Sequence, residues 1–131
     1  MNNKYPTKKE ILENEPLIEK KVITIVSEWK KNVWNKKNKT KQSMIERLIN
    51  LLNKYYKQNT TIEFKPTIDR YEAIKNKITL TKPSIITCLH EYAHSLKMNE
   101  KEACYYSVWI FKKVFPRAYK KLKWKNHMLI K

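Results

Sequence analysis

The chain has 131 residues, which suits a single domain and is long enough to bury a hydrophobic core. It carries 29 Lys and Arg against 12 Asp and Glu, a net charge of +17, and no window of about 20 apolar residues that would predict a membrane-spanning helix. Two cysteines are too few for a disulfide framework, and residues 1–10 lack the apolar run of a signal peptide, so we expect a cytoplasmic protein.

Two amphipathic helices are predicted in the N-terminal part of the chain. Residues 1–15 favour an arm or a short first element. A helix is then expected over residues 16–34, with Pro16 in its first turn and Asn14 as a candidate cap. After a basic loop, a second helix is predicted over residues 42–56. In both helices apolar residues recur every three or four positions, which indicates a face packed against a core.

The hydrophobic period changes beyond residue 58. Three short segments alternate between apolar and polar side chains and are rich in β-branched or aromatic residues. They predict three strands, over residues 60–64, 71–75 and 77–81, with a turn at Asn76. Further helical patterns follow this small sheet. The order of elements predicts an α+β fold.

The strongest local signal is an H-E-x-x-H motif within residues 84–96, S-I-I-T-C-L-H-E-Y-A-H-S-L. His90 and His94 are four residues apart, so on a helix they share one face and can bind one ion. Glu91 is rotated by about 100° from His90, which suits a general base beside a metal-bound water. The alternative is that all three are solvated side chains on an amphipathic helix. We expect a zinc site with Glu91 as its catalytic residue.

A water-activating zinc site needs a third protein ligand. The next predicted helix begins near Glu100, and Glu102 in its first turn is the preferred ligand. With Asn99 as the cap, Glu102 could instead bond back to the cap backbone. Glu100 in the same turn and His127 in the basic tail are the alternatives.

The strand, the H-E-x-x-H helix and the E-K-E-A segment of the next helix resemble the gluzincin metallopeptidases, especially ImmA/IrrE-type peptidases of mobile elements and the small minigluzincins. The resemblance covers about residues 60–116. It implies a minimal zincin-like domain, with an antiparallel or mixed sheet packed on the motif helix. It also implies zinc held by His90, His94 and Glu102, with Glu91 as general base and acid in peptide-bond hydrolysis. Ala93 stands where glycine is common in ImmA/IrrE-type peptidases, and the link from His94 to Glu102 is shorter than is usual there.

On this resemblance, the single domain divides into a helical part (residues 1–58), a catalytic core (59–116) and a basic tail (117–131). A tyrosine would supply a second oxyanion donor, with Tyr105 and Tyr106 as the candidates and Tyr92 a further one, although packing explains each of them equally well. A substrate peptide would pair with the sheet edge near residues 71–75. Residues 120–131, including His127, would cover the metal face and keep the enzyme latent, as a terminal segment does in some minigluzincins.

Lysine runs recur at residues 30–31, 36–37, 112–113 and 120–125. A solvated surface explains them, and so does a weak contact with nucleic acid or an acidic partner, with Tyr119 or Trp124 available for base stacking. The sequence has no helix-turn-helix, zinc-finger or ribonucleoprotein motif. The alternative function is therefore a basic binding protein with an inactive zincin core.

Overall fold

The computed structural model describes residues 5–35, 39–125 and 128–130, without the side chains of 125 and 128–130. The described part of the chain is a mixed α/β structure of six helices and a small three-stranded sheet, with a C-terminal hairpin. The helices are α1 (Lys8–Glu13), α2 (Lys20–Trp29), α3 (Lys41–Tyr56), α4 (Ile85–Ser95), α5 (Glu100–Val114) and α6 (Pro116–Lys121). The strands are β1 (Thr61–Phe64), β2 (Arg70–Glu72), β3 (Lys77–Leu80), β4 (Lys123–Lys125) and β5 (Met128–Ile130).

The N-terminal helices begin and end differently from the prediction. A helix starting at Pro16 is wrong, because α2 begins only at Lys20, after the extended Glu19. Asn14 ends α1 rather than capping α2, since its side-chain amide donates to the Glu10 carbonyl at 2.8 Å. Beyond α2 the chain continues as one π-helical turn, Lys30–Trp34, so the helical segment still ends at the predicted residue.

The sheet is mixed, with the strand order β1–β3–β2. β1 runs parallel to β3 and β2 antiparallel to it, which places β3 in the centre. Ile78, Thr79 and Leu80 of β3 are all buried. Asn76 forms the predicted turn with a φ of 48°, and its side-chain oxygen accepts the hydroxyl of Tyr71 at 2.7 Å. β2 covers only part of the strand predicted over residues 71–75, and the strand order places it at an edge of the sheet.

The core lies between the sheet and the helices, and α4 packs against α3, α5, β2 and β3. Polar groups inside it are paired. The Trp29 indole donates to the Met44 carbonyl at 2.8 Å, and the Tyr92 hydroxyl donates to the Asn53 side chain at 3.0 Å. These bonds fix α2 to α3 and α3 to α4, so the buried face of α4 is held from several sides.

The basic tail contains α6 and the antiparallel β4–β5 hairpin, which the sequence did not predict. Over residues 5–35, 39–125 and 128–130, no helix combines the length and apolar character needed to cross a bilayer.

Candidate metal centre

One face of α4 packs in the core, and another carries the two histidines of the motif. Ser84 caps the helix by accepting from the Thr87 backbone N–H. Leu89 and Ala93 are fully buried in the core, whereas the side chains of His90 and His94 keep 20% and 18% exposure. Their rings lie with centroids 4.9 Å apart and nearly perpendicular. The helix therefore offers two imidazoles on a rigid, core-backed support.

The turn after α4 has the hydrogen bonds of a Schellman motif. The Met98 N–H donates to the Ala93 carbonyl at 3.2 Å, and the Lys97 N–H donates to the His94 carbonyl at 3.0 Å. Lys97 takes the left-handed conformation, with φ 70°, that glycine usually supplies, and the chain contains no glycine. This turn sets the path of the chain between His94 and α5.

The same turn orients the second imidazole. His94 Nδ1 lies 2.9 Å from the Met98 carbonyl, an acceptor that assigns the ring proton to Nδ1. Nε2 faces the carboxylate of Glu100, and its lone pair would be available to a metal ion held there. In metal-binding histidines, a hydrogen bond of this kind at the nitrogen that does not bind the metal commonly fixes the tautomer.

Glu100 completes a three-residue cluster. One of its carboxylate oxygens lies 2.5 Å from His94 Nε2, and the other lies 3.4 Å from His90 Nε2. One ligand atom from each of the three residues can be chosen so that all lie within 4.8 Å of one another. Two imidazoles and a carboxylate are the donor set of a common catalytic zinc site. The residues present therefore match the donor set of such a site.

Glu102, the ligand preferred from the sequence, lies elsewhere. Its carboxylate accepts from the Asn99 N–H at 2.9 Å, and its own N–H donates to the Asn99 side chain at 2.8 Å. This is the capping box that was the alternative for Glu102. Residues two apart on a helix are rotated by about 200°, so Glu100 and Glu102 face opposite sides. The structure brings Glu100, and not Glu102, to the histidines, and His127 lies outside the described residues.

Glu91 is partly buried beside the cluster. Burial is the largest cause that raises the pKa of its carboxyl to about 7; His94 opposes the rise, and the nearby Glu100 and Asp69 contribute to it. A carboxyl with this pKa is populated in both protonation states near neutral pH, as a group that accepts and returns a proton must be. Glu91 is therefore a partly buried carboxyl with a raised pKa that lines the same cleft as the cluster.

The cluster opens into a cleft of about 690 Å³. Its walls come from α4, from α5 and from the segment that leads into and beyond β2. Ile68, Asp69 and Arg70 are exposed there. The described side chains of the basic tail, through Trp124, are not part of the lining, so they do not support the expected cover by that segment.

The three tyrosines considered as oxyanion donors do not line this cleft. Tyr106 is buried, and its hydroxyl lies 3.0 Å from that of Tyr56. Tyr92 is buried and bonds to Asn53, while Tyr105 packs beside Val108 and Trp109 with Lys101 over its ring. Packing accounts for all three.

Two other tyrosines, Tyr5 and Tyr71, do line the cleft. Burial, followed by the charge of Glu100, raises the pKa of the Tyr5 hydroxyl, which places Tyr5 close to that carboxylate. Nothing in the local sequence around Tyr5 signals this proximity, because Tyr5 and Glu100 are far apart in the sequence.

Comparisons of the chain with profiles of protein families, with curated proteins and with solved structures find no match. The function proposed below therefore rests on the geometry of the cluster and its cleft.

Proposed function

We propose that the protein is a zinc-dependent peptidase in which His90, His94 and Glu100 hold the metal and Glu91 moves the proton. The observation that carries this proposal is the convergence of three ligand groups at an open cleft, with a partly buried carboxyl beside them. A structural zinc site would be closed by a fourth protein ligand, whereas a catalytic site keeps one position open.

Each side chain has a distinct part in this proposal. A zinc ion held there would supply Lewis-acid polarisation of a carbonyl and acidify bound water. Glu91 would take a proton from the attacking water and return it to the leaving amine. Met98, through its carbonyl, would keep His94 in the tautomer that leaves Nε2 free for the metal.

The cleft also offers a place for an extended peptide. β2 is an edge strand, and among the described residues no other strand pairs with its outer side. Arg70 and Tyr71 of β2 line the cleft together with Asp69. We propose that a substrate peptide adds to this edge through backbone hydrogen bonds, which would place a peptide bond near the ligand cluster.

The test combines metal content with turnover. Purified untagged protein should bind one zinc per chain and cleave members of a broad peptide library. Glu91→Gln should retain the zinc and lose turnover by a factor of about 100 or more, since general acid–base catalysis contributes at least that much. Glu46→Gln, an exposed change on α3, should alter neither property. Retained turnover in Glu91→Gln would contradict its role, and a wild-type chain that binds no zinc would contradict the site.

A second candidate function is favoured by the distribution of charge. Residues 29–45 and 103–131 contain no acidic residue. The two segments meet where Lys30 Nζ donates to the Val114 carbonyl at 2.8 Å and lies 4.8 Å from the Phe115 ring centroid. Partly exposed Trp34 and Tyr119 lie beside Lys41 and Lys112. We propose that this basic face binds single-stranded nucleic acid weakly, by phosphate attraction and base stacking.

A further inference from the structure

The N-terminal segment, residues 5–14, is fixed to α5 by several independent contacts. Thr7 and Glu10 form a capping box that starts α1. Ile11 is fully buried, and its carbonyl accepts the Trp109 indole N–H at 2.7 Å. Lys101 on α5 lies 3.5 Å from the Glu10 carboxylate. The position of this segment relative to α5 is therefore set by a buried hydrogen bond, a buried side chain and a surface ion pair.

This docking carries Tyr5 to the metal cluster. Ile11 packs with Cys104, Val108 and Trp109 of α5, and Tyr5 packs against the same group. Cys104 and Val108 also line the cleft, together with Tyr5 and Glu100. The Tyr5 ring is thus held by apolar contacts, and Tyr5 lines the same cleft as Glu100, close enough for the charge of Glu100 to raise the Tyr5 pKa.

The side chain of Glu100 needs a neighbour that fixes its orientation more than the side chains of the two histidines do. Glu100 is the first residue of α5, where its side chain projects from a helix end rather than from between two turns. His94 has the Met98 carbonyl as the partner of its second ring nitrogen, and Tyr5 is the residue of the cleft that is placed to serve Glu100 in the same way. A hydrogen bond to one carboxylate oxygen limits the rotamers of the side chain and keeps its second oxygen directed at the metal.

We propose that Tyr5 is a positioning residue for Glu100, and that the docked N-terminal segment belongs to the metal centre rather than serving only as packing. This inference rests on the proposed zinc site and deepens it. It assigns to the start of the chain a role that the local motif around His90 and His94 does not reveal.

The experiment compares Tyr5→Phe with the wild type, both as the full chain. Zinc affinity is measured by competition with a chromogenic chelator, and the melting temperature of the metal-free protein is measured in parallel. We expect Tyr5→Phe to bind zinc about 10–100-fold more weakly, the effect typical of losing an outer-shell partner, with an unchanged metal-free melting temperature.

Tyr105→Phe is the matched control. Tyr105 packs against the same apolar group but lies outside the cleft lining, so removing its hydroxyl should leave zinc affinity unchanged. An unchanged zinc affinity in Tyr5→Phe would overturn the inference, and so would a loss that Tyr105→Phe shares. A fall in metal-free melting temperature with no separate loss of affinity would show a structural role only. If the wild type binds no zinc, the proposed function fails and the inference with it. If the wild type binds zinc and Tyr5→Phe binds it equally tightly, the inference is refuted while the proposed function stands.

Discussion

At the scale of single residues, the two glutamates of the first turn of α5 show how position decides chemistry. Glu100 and Glu102 have the same side chain and nearly the same place in the sequence. One reaches two imidazoles and the other closes a helix cap. Each role can therefore be removed without the other.

We predict opposite outcomes for Glu100→Ala and Glu102→Ala. Glu100→Ala removes a metal ligand, so zinc affinity should fall by more than the roughly 10–100-fold typical of an outer-shell change. Glu102→Ala should keep the zinc but lose about 0.5–1 kcal/mol of unfolding free energy, because one bond of the capping box disappears. Chelator competition and urea unfolding of the metal-free protein measure the two effects. Loss of zinc in Glu102→Ala alone would restore the ligand preferred from the sequence.

Some of the site was predictable from the sequence because it is local. The spacing of His90 and His94 on a helix is enough to predict a shared face, and Glu91 follows from the same geometry. The choice between Glu100 and Glu102 depends on whether the capping box forms, which spacing alone does not decide. Tyr5 was not predictable, since its contact with Glu100 depends on how α1 docks against α5.

At the scale of elements, a chain without glycine ends two of its helices with lysine in the left-handed region. Lys57 follows α3 with a φ of 58°, and Lys97 follows α4 with a φ of 70°. The Gln58 N–H donates to the Asn53 carbonyl at 2.9 Å, in the same pattern as Met98 and Ala93 after α4. Side chains with a Cβ are disfavoured in this conformation, so both helix ends contain a small strain.

We predict that Lys57→Gly raises the free energy of unfolding by up to about 1 kcal/mol, because glycine removes the left-handed penalty. Lys54→Gly, three residues earlier and inside α3, should lower it by about 1 kcal/mol, because there glycine only weakens the helix. Urea denaturation of the two variants gives the comparison. If both variants change the free energy of unfolding in the same direction, the conformation of Lys57 carries no strain.

The elements were predictable to different degrees. α3, α4 and α5 have strong apolar periodicity, so their existence and approximate bounds were predictable. Of their side-chain caps Thr40, Ser84 and Asn99, only Asn99 was expected from the sequence. The parallel pairing of β1 with β3 was not predictable, because β2 lies between them in sequence but outside them in space. The hairpin of β4 and β5 lies in a lysine-rich segment whose composition favours no strand.

At the scale of the whole molecule, the net charge of +17 is unevenly distributed. Several acidic residues lie near the sheet, where Lys65 and Lys77 contact Glu63, and Lys75 contacts Glu72. The sequence segments 29–45 and 103–131 contain no acidic residue, and among their described lysines Lys113 contacts a carboxylate from elsewhere in the chain, that of Glu15. A polyanion should therefore be drawn to the face that these segments form rather than to the sheet.

We predict that a fluorescent single-stranded oligonucleotide binds the protein at low salt and dissociates as salt rises. A quadruple variant of the basic face should reduce the slope of log affinity against log salt by about 3, since each phosphate contact contributes roughly 0.7. The variant carries Lys31→Gln, Lys41→Gln, Arg117→Gln and Lys120→Gln. The control carries Lys8→Gln, Lys9→Gln, Lys65→Gln and Lys75→Gln. Fluorescence anisotropy measures both. If the oligonucleotide does not bind at low salt, or if the two quadruple variants reduce the slope equally, the proposed nucleic-acid binding by this face is contradicted.

The three groups of the ligand cluster lie within one short stretch of chain, joined by a single turn. When the protein denatures, these groups stay near neighbours, so the denatured chain would retain part of its attraction for zinc. By linkage, an ion stabilises the native state only through the difference between its two affinities. The increase in melting temperature on adding zinc would then underestimate the affinity of the native protein for zinc.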